Sequence, residues 1–312
     1  MSVSKAWDMA HVRFRAPDLS VMDRFLNAFG MVEAGRSATA LYKRGHGTQP
    51  FAHVTELGDP AFAGFGIQLN SVDELEKLAA HENAQVEMSN EPGGGYVVRL
   101  TDPDGFAVDA LAGQTMADIL SMPRGQEWNQ DGRYSRLNDP KRPEKGPSHV
   151  LRLGHVVLGV SDFRRSEAWY KDRFGFITSD EIQPQPGIAI GAFMRCDRGD
   201  RPCDHHSLFL LERPAPCFMH AAFEVANLDD LMVGHDHLVA QGYDHLWGVG
   251  RHYLGSQIFD YWRDPYGHEV EHWTDGDQLV AADGGGIGTI PELMGVQWGM
   301  EMPPLPEEVG RG

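Results

Sequence analysis

The chain is poor in cysteine, has no long apolar run and carries far fewer basic than acidic residues. Its only cysteines are Cys196, Cys203 and Cys217. An odd number without Cys-x-x-Cys spacing argues against a disulfide framework and suits packed, reduced thiols of a cytoplasmic protein. No apolar stretch approaches the ~20 residues of a membrane span, and the opening MSVSKAWDMAHV lacks the apolar core of a secretion signal. Lys and Arg total 27 against 45 Asp and Glu, a net charge of −18. Such a surface repels phosphate backbones, so neither nucleic acid nor membrane is an expected partner. Histidine, by contrast, is plentiful. Of 15 in the chain, 11 fall between His149 and His272, which puts metal or acid–base chemistry first among the functions to test.

At 312 residues the chain has room for about two domains of roughly 150 residues, and it repeats itself. AHVRFRAPDLSVMDRFLNAFGM from Ala10 resembles GHVVLGVSDFRRSEAWYKDRFGF from Gly154. In each, a strand with an early His leads to an Asp at a helix N-cap position (Asp18, Asp162), and an amphipathic run closes on Phe-Gly. GFGIQLNSVDEL from Gly64 likewise resembles HAAFEVANLDDL from His220. Both lead through a helix to a strand pair joined by an Asp-Pro-x-Gly turn, Asp102 to Gly105 and Asp264 to Gly267. Strand, helix, strands therefore recurs four times, over about 6–57, 61–113, 151–213 and 217–275. The expected fold is α+β: four βαβββ-type modules paired into two domains whose curved antiparallel sheets enclose a cavity, with helices outside. Residues 1–120 form the first two-module domain, 121–149 a Pro- and Gly-rich linker, 150–275 the second domain and 276–312 a tail with little core of its own.

His155 lies on the strand LRLGHVVLGV, His220 begins HAAFEV, and Glu271 follows the second Asp-Pro-x-Gly turn. Singly each is an ordinary residue. The repeat makes them a set, because all three fall at related strand positions that sheet closure would bring to one cavity. Two imidazoles and one carboxylate on one side of an ion form the facial triad of non-haem Fe(II) and leave positions open; zinc would more often keep tetrahedral geometry. Aligned with the first half, His155 stands opposite His11, His220 opposite Gly64 and Glu271 opposite Asp109. Glycine offers no donor, so one metal per chain is expected, in the second half.

The layout together with GHVVLGVSD, DHHSL, HAAFEV and GRHYLGSQIFDYWRDPYGHEVE resembles the type I extradiol ring-cleavage dioxygenases of the vicinal oxygen chelate superfamily, which act on 2,3-dihydroxybiphenyl and related catechols. The likeness covers nearly the whole chain, most specifically 151–275. It implies Fe(II), occasionally Mn(II), held by His155, His220 and Glu271; a catechol-type substrate and O2; and cleavage beside the two hydroxyls. His206, the second His of DHHSL, matches the family's proton-transfer residue, and His252 and Tyr261 match donors to the substrate oxygens. A homo-oligomer is also implied. Asp260 departs from the family pattern, which has an apolar residue before the Tyr. Another metal-dependent enzyme of the superfamily, an isomerase or lyase, and a non-catalytic binding protein stay open beside this reading. Of the remaining residues, His205 is expected on the opposite face of its strand. His235, His237 and His245 are expected at the surface, His268 and His272 facing outward, the cysteines packed, and Trp247, Trp262 and Trp273 in core or pocket wall.

Overall fold

A computed structural model describes residues 2–122 and 127–302. Within the expected linker, residues 123–126 lie outside the described residues, as do 303–312 of the tail. The first module runs β1 (Ala6–Ala16), α1 (Leu19–Ala28), β2 (Val32–Arg36), β3 (Ala40–Arg44) and β4 (His53–Leu57). The second runs β5 (Ala61–Leu69), α2 (Val72–Glu82), β6 (Glu87–Met88), β7 (Tyr96–Thr101) and β8 (Ala107–Ala112). The third has β9 (Val150–Val160), α3 (Phe163–Phe174), β10 (Ile177–Ile182), β11 (Gly191–Arg195), β12 (Cys203–Asp204) and β13 (Leu208–Glu212). In the fourth come β14 (Cys217–Val225), α4 (Leu228–Ala240), β15 (Asp244–His252), β16 (Ile258–Arg263) and β17 (Glu269–Thr274). The tail adds β18 (Gln278–Leu279), β19 (Gly286–Gly288), α5 (Ile290–Leu293) and β20 (Val296–Gly299).

Local chemistry sets the ends of these elements. Asp18 accepts hydrogen bonds from the amides of Ser20 and Val21, and Asp162 from that of Arg165. Ser71 and Asn227 cap α2 and α4 in the same way, each satisfying an amide that the first helical turn leaves free. Gly175 ends α3 at φ 66°, a left-handed conformation that costs glycine little. In both Asp-Pro-x-Gly turns the glycine amide donates to the Asp carbonyl, and the Asp carboxylate collects two further amides.

The modules pair as the repeat implies. In the order β2-β3-β4-β1-β5-β8-β7-β6 one sheet holds the first half; the other runs β19-β10-β11-β13-β9-β14-β17-β16-β15-β20. Each module's first strand runs parallel to its last, and the two first strands meet antiparallel at the sheet centre. The tail joins this second sheet at both edges, through β19 on β10 and β20 on β15.

The halves dock reciprocally. Asp104, in the turn of module two, receives the Ser161 amide and hydroxyl, Arg165 and Ser166 at the start of α3. In the matching place Tyr266, from the turn of module four, donates to the Asp18 carbonyl at the start of α1. His272 is not outward-facing as expected. It alternates away from Glu271, but into the seam between halves, fully buried, with its ring 3.7 Å from that of Phe29 and Nε2 2.7 Å from the Phe29 carbonyl. His268 is held in the same seam by Asp264, against Phe14.

Buried Tyr170 of α3 donates to Asp102 of module two at 2.8 Å. Tyr170→Phe keeps the ring and leaves that carboxylate oxygen short of a donor. It is expected to lower stability by about 1–2 kcal/mol, read as an earlier urea midpoint with the secondary structure unchanged.

Candidate metal centre

The ladder at the heart of the second sheet puts the candidate ligands in a row. Ala222 on β14 stands between His155 on β9 and Glu271 on β17, and His220 lies two residues before Ala222 on the same face. The methyl group of Ala222 is the only side chain between the flanking imidazole and carboxylate in that row. Nε2 of His155 and Nε2 of His220 each lie 3.3 Å from Oε2 of Glu271, and the three donor atoms fall within 4.8 Å of one another. Glu271 is fully buried and His155 nearly so.

This proximity is not hydrogen bonding. Both oxygens of Glu271 and Nε2 of His220 are buried without a hydrogen-bond partner, and Nδ1 of His155 lacks one too. A buried carboxylate left unpaired costs several kcal/mol, and a divalent cation among these donors would relieve that cost. The residues therefore fit a metal. Burial alone would raise the Glu271 pKa, but the adjoining imidazoles of His155 and His220 outweigh it and hold the carboxyl well below its usual range. Burial lowers His155, which favours the neutral, ligating form.

The other predicted residues ring the same point. Tyr261 on β16 pairs across the ladder with Glu271, and its hydroxyl lies 3.1 Å from Nε2 of His252, which is 3.8 Å from Oε1 of Glu271. Burial, then the Glu271 charge, pushes the Tyr261 phenol well above its ordinary value, and burial brings His252 down to about 4. The His206 ring sits 4.1 Å from that of His155, and burial among other histidines keeps it well below the imidazole range.

Several expectations need correction. His205 and His206 lie between β12 and β13 rather than on a strand, with His205 at a bend. His205 is buried with its Nδ1 3.1 Å from Nδ1 of His206 and its Nε2 2.7 Å from Asp180; alternation does not govern a bend, and Asp180 holds the ring. His235 and His245, expected at the surface, are only partly exposed, because both reach in to the buried carboxylate of Asp260. Cys196 and Cys203 are packed, whereas Cys217 is exposed at the start of β14.

The tail supplies what sequence reasoning missed. Its Ile290 and Leu293 pack against Val157, Phe193 and Phe209, and Trp247 Nε1 donates to the Met300 carbonyl at 2.7 Å. One signal was legible: Thr289 and Glu292 form a capping box that starts α5.

In the first half the same register recurs, with His11 beside Gly66 and Gly66 beside Asp109. Gly64, at the position of His220, has φ +135°, and a Cβ there would lie 2.6 Å from the Ala107 carbonyl oxygen. Next to His11 and Asp109 sits a fixed cation, the guanidinium of Arg13. It contacts Asp109 at 3.4 Å and Glu56 and Glu91 at 2.7 Å.

Duplicated βαβββ modules with a two-His-one-carboxylate cluster in one half define a class of paired-module proteins with a candidate metal centre in one pair. The family model described as Glyoxalase/Bleomycin resistance protein/Dioxygenase superfamily matches residues 152–272. Over 281 residues the chain is 34% identical to a biphenyl-2,3-diol 1,2-dioxygenase from Paraburkholderia xenovorans, covering 85% of this chain and 86% of that one. Metapyrocatechase 2 from Cupriavidus necator is 28% identical over 295 residues, covering 94% and 89%. In fold, homoprotocatechuate 2,3-dioxygenase from Brevibacterium fuscum superposes with a TM-score of 0.76 at 18% identity, covering 93% and 87%. The chain belongs to the extradiol dioxygenases of this superfamily, and membership implies a catalytic metal.

Arg13→Met removes the cation shared by Glu56, Glu91 and Asp109. Leaving partly buried carboxylates unpaired is expected to cost about 3 kcal/mol, measured by chemical denaturation, with no gain in bound metal on elemental analysis.

Proposed function

We propose that this enzyme opens a catechol-type ring beside its two hydroxyls, adding both atoms of O2, at a single iron(II) held by His155, His220 and Glu271. The observation that carries this reading is the convergence of two imidazoles and a buried, unpartnered carboxylate on one point, in a chain 34% identical to a biphenyl-2,3-diol dioxygenase. Manganese(II) accepts the same donors and is the alternative ion. When bound, the ion would supply positive charge that acidifies the diol and an electronic path between the ring and O2.

The chain's own residues then handle position and protons. His206, kept neutral by burial, can take a proton from one substrate hydroxyl and return it as the ring opens. Tyr261, kept protonated, can donate to the neighbouring oxygen, and His252 at 3.1 Å orients that phenol. Phe193 lies 4.7 Å from the ring of His206, and Trp247 and Phe259 lie 5.3 and 5.5 Å from that of Tyr261, so the residues proposed to handle protons have apolar aromatic neighbours. Buried Cys196 and Cys203, free thiols, accord with the cytoplasm as the proposed location. No helix among the described residues is long and apolar enough to cross a membrane.

We take residues 1–120 as a metal-free supporting domain joined by 121–149 to the catalytic domain at 150–275, followed by a tail at 276–312. A homo-oligomer, by likeness to the family, is the proposed assembly, and the mass in solution tests it.

Iron(II)-loaded protein incubated in air with a panel of 3-substituted catechols should consume O2 and release a coloured ring-opened product. No uptake with any of them would overturn the assignment. His220→Ala is expected to lose the bound metal. His206→Ala should keep it while turnover falls by about 10²-fold or more; metal analysis beside oxygen-electrode rates separates the two.

A further inference from the structure

Outside that centre, a second group of metal-ligating side chains converges. His235 on α4, His245 on β15 and Asp260 on β16 bring three donor atoms within 4.8 Å of one another. Nδ1 of His235 lies 3.1 Å, and Nε2 of His245 2.9 Å, from Oδ1 of Asp260. The two rings are 4.9 Å apart and nearly perpendicular at 87°, so their nitrogens approach the carboxylate from different directions. Asp260 is fully buried, and the indole N–H of Trp262 donates to its other oxygen at 2.7 Å. Nδ1 of His235 lies 3.1 Å from that second oxygen as well, so Oδ1 is the oxygen that both imidazoles reach, and the indole helps fix the carboxylate plane, as an outer partner does for a ligating carboxylate.

The repeat provides an internal comparison. Asp260 is next in sequence to Tyr261, the ladder partner of Glu271, while Val98 is next to Arg99, the ladder partner of Asp109. His235 and Ala79 each lie eight residues beyond their helix cap, Asn227 and Ser71. Module two thus packs these places with buried Val98 and Ala79, and module four puts an acid and an imidazole there. A core position that accepts Val needs no carboxylate for packing, and a buried carboxylate is costly unless it is paired or ligates a cation.

We propose that His235, His245 and Asp260 form a second metal site, taking one zinc-class divalent ion with water as the fourth ligand. Imidazole and carboxylate donors suit such an ion, and three protein ligands plus water is a common zinc arrangement. Bonds of about 2.0–2.1 Å at tetrahedral angles set neighbouring donor atoms about 3.3 Å apart. The two nitrogen–oxygen separations, 3.1 and 2.9 Å, need to widen by only a few tenths of an ångström. Both imidazoles, with side chains 20% and 23% exposed, can make that movement and leave a path for entry. The ion would tie α4 to β15 and β16, the strands that carry His252 and Tyr261.

The test uses full-length His220→Ala protein, which disables the first centre, stripped by chelator and titrated with Co²⁺ and with Zn²⁺. One equivalent should bind, with the visible absorption of four-coordinate Co²⁺, and Zn²⁺ should displace it. Binding should vanish in His220→Ala/His245→Gln and in His220→Ala/Asp260→Asn. The first of these alters a partly exposed side chain and is the deciding variant if the second unfolds. No bound equivalent in His220→Ala protein overturns the proposal, because His235, His245 and Asp260 are then a hydrogen-bonded network only. An equivalent that survives both double substitutions also overturns it, since the ion then sits elsewhere. Oxygen uptake by the unsubstituted enzyme reports on the first centre alone, so the two readings fail independently.

Discussion

The register between β9, β14 and β17 is the constraint on which the catalytic half depends. An antiparallel pair and a parallel pair share β14, so one row across the three strands reads His155, Ala222, Glu271. Side chains alternate along each strand, and a slip of one residue in either pairing would turn a ligand to the other face. The register is itself held by buried apolar neighbours, such as Leu153 and Val157 on β9 and Ala221 and Phe223 on β14. Packing thus supplies the precision that the donor atoms need, and the donors contribute little to holding the strands.

The first half shows what that frame does without a metal. Its ladder repeats the row, but a backbone that excludes any side chain at Gly64 removes one ligand and Arg13 supplies a permanent charge beside the rest. A guanidinium cannot deprotonate and offers no open position to a substrate. The row that holds the candidate ligands in the second half serves cohesion here, while the surrounding core keeps the same module layout.

Much of this was legible in the sequence because its causes are local. Asp18 and Asp162 cap helices through amides two or three residues away, and the Asp-Pro-x-Gly turns close on themselves. His155, His220 and Glu271 could be drawn together because the repeat converts positions far apart in the chain into equivalent places in a module. What stayed hidden depends on partners that no local pattern names. His272 alternates away from Glu271 as the strand period requires, yet whether that face meets water or Phe29 is decided by how the halves dock. His235 reads as one more polar residue on a helix until the strand carrying Asp260 lies beneath it. Asp180, which holds His205 beside His206, is 25 residues away from it in the chain and belongs to an otherwise ordinary strand.

The placement of β19 and β20 has a geometric consequence. They occupy opposite ends of a ten-stranded sheet, yet Gly288 and Val296 are separated by only eight residue steps. Laid flat, nine gaps of about 4.8 Å would hold those ends about 43 Å apart. Eight steps of even fully extended chain reach about 29 Å at most, and α5 shortens the reach further. The sheet must therefore roll until its margins approach, and the short span between them laces the rolled edge shut like a drawstring.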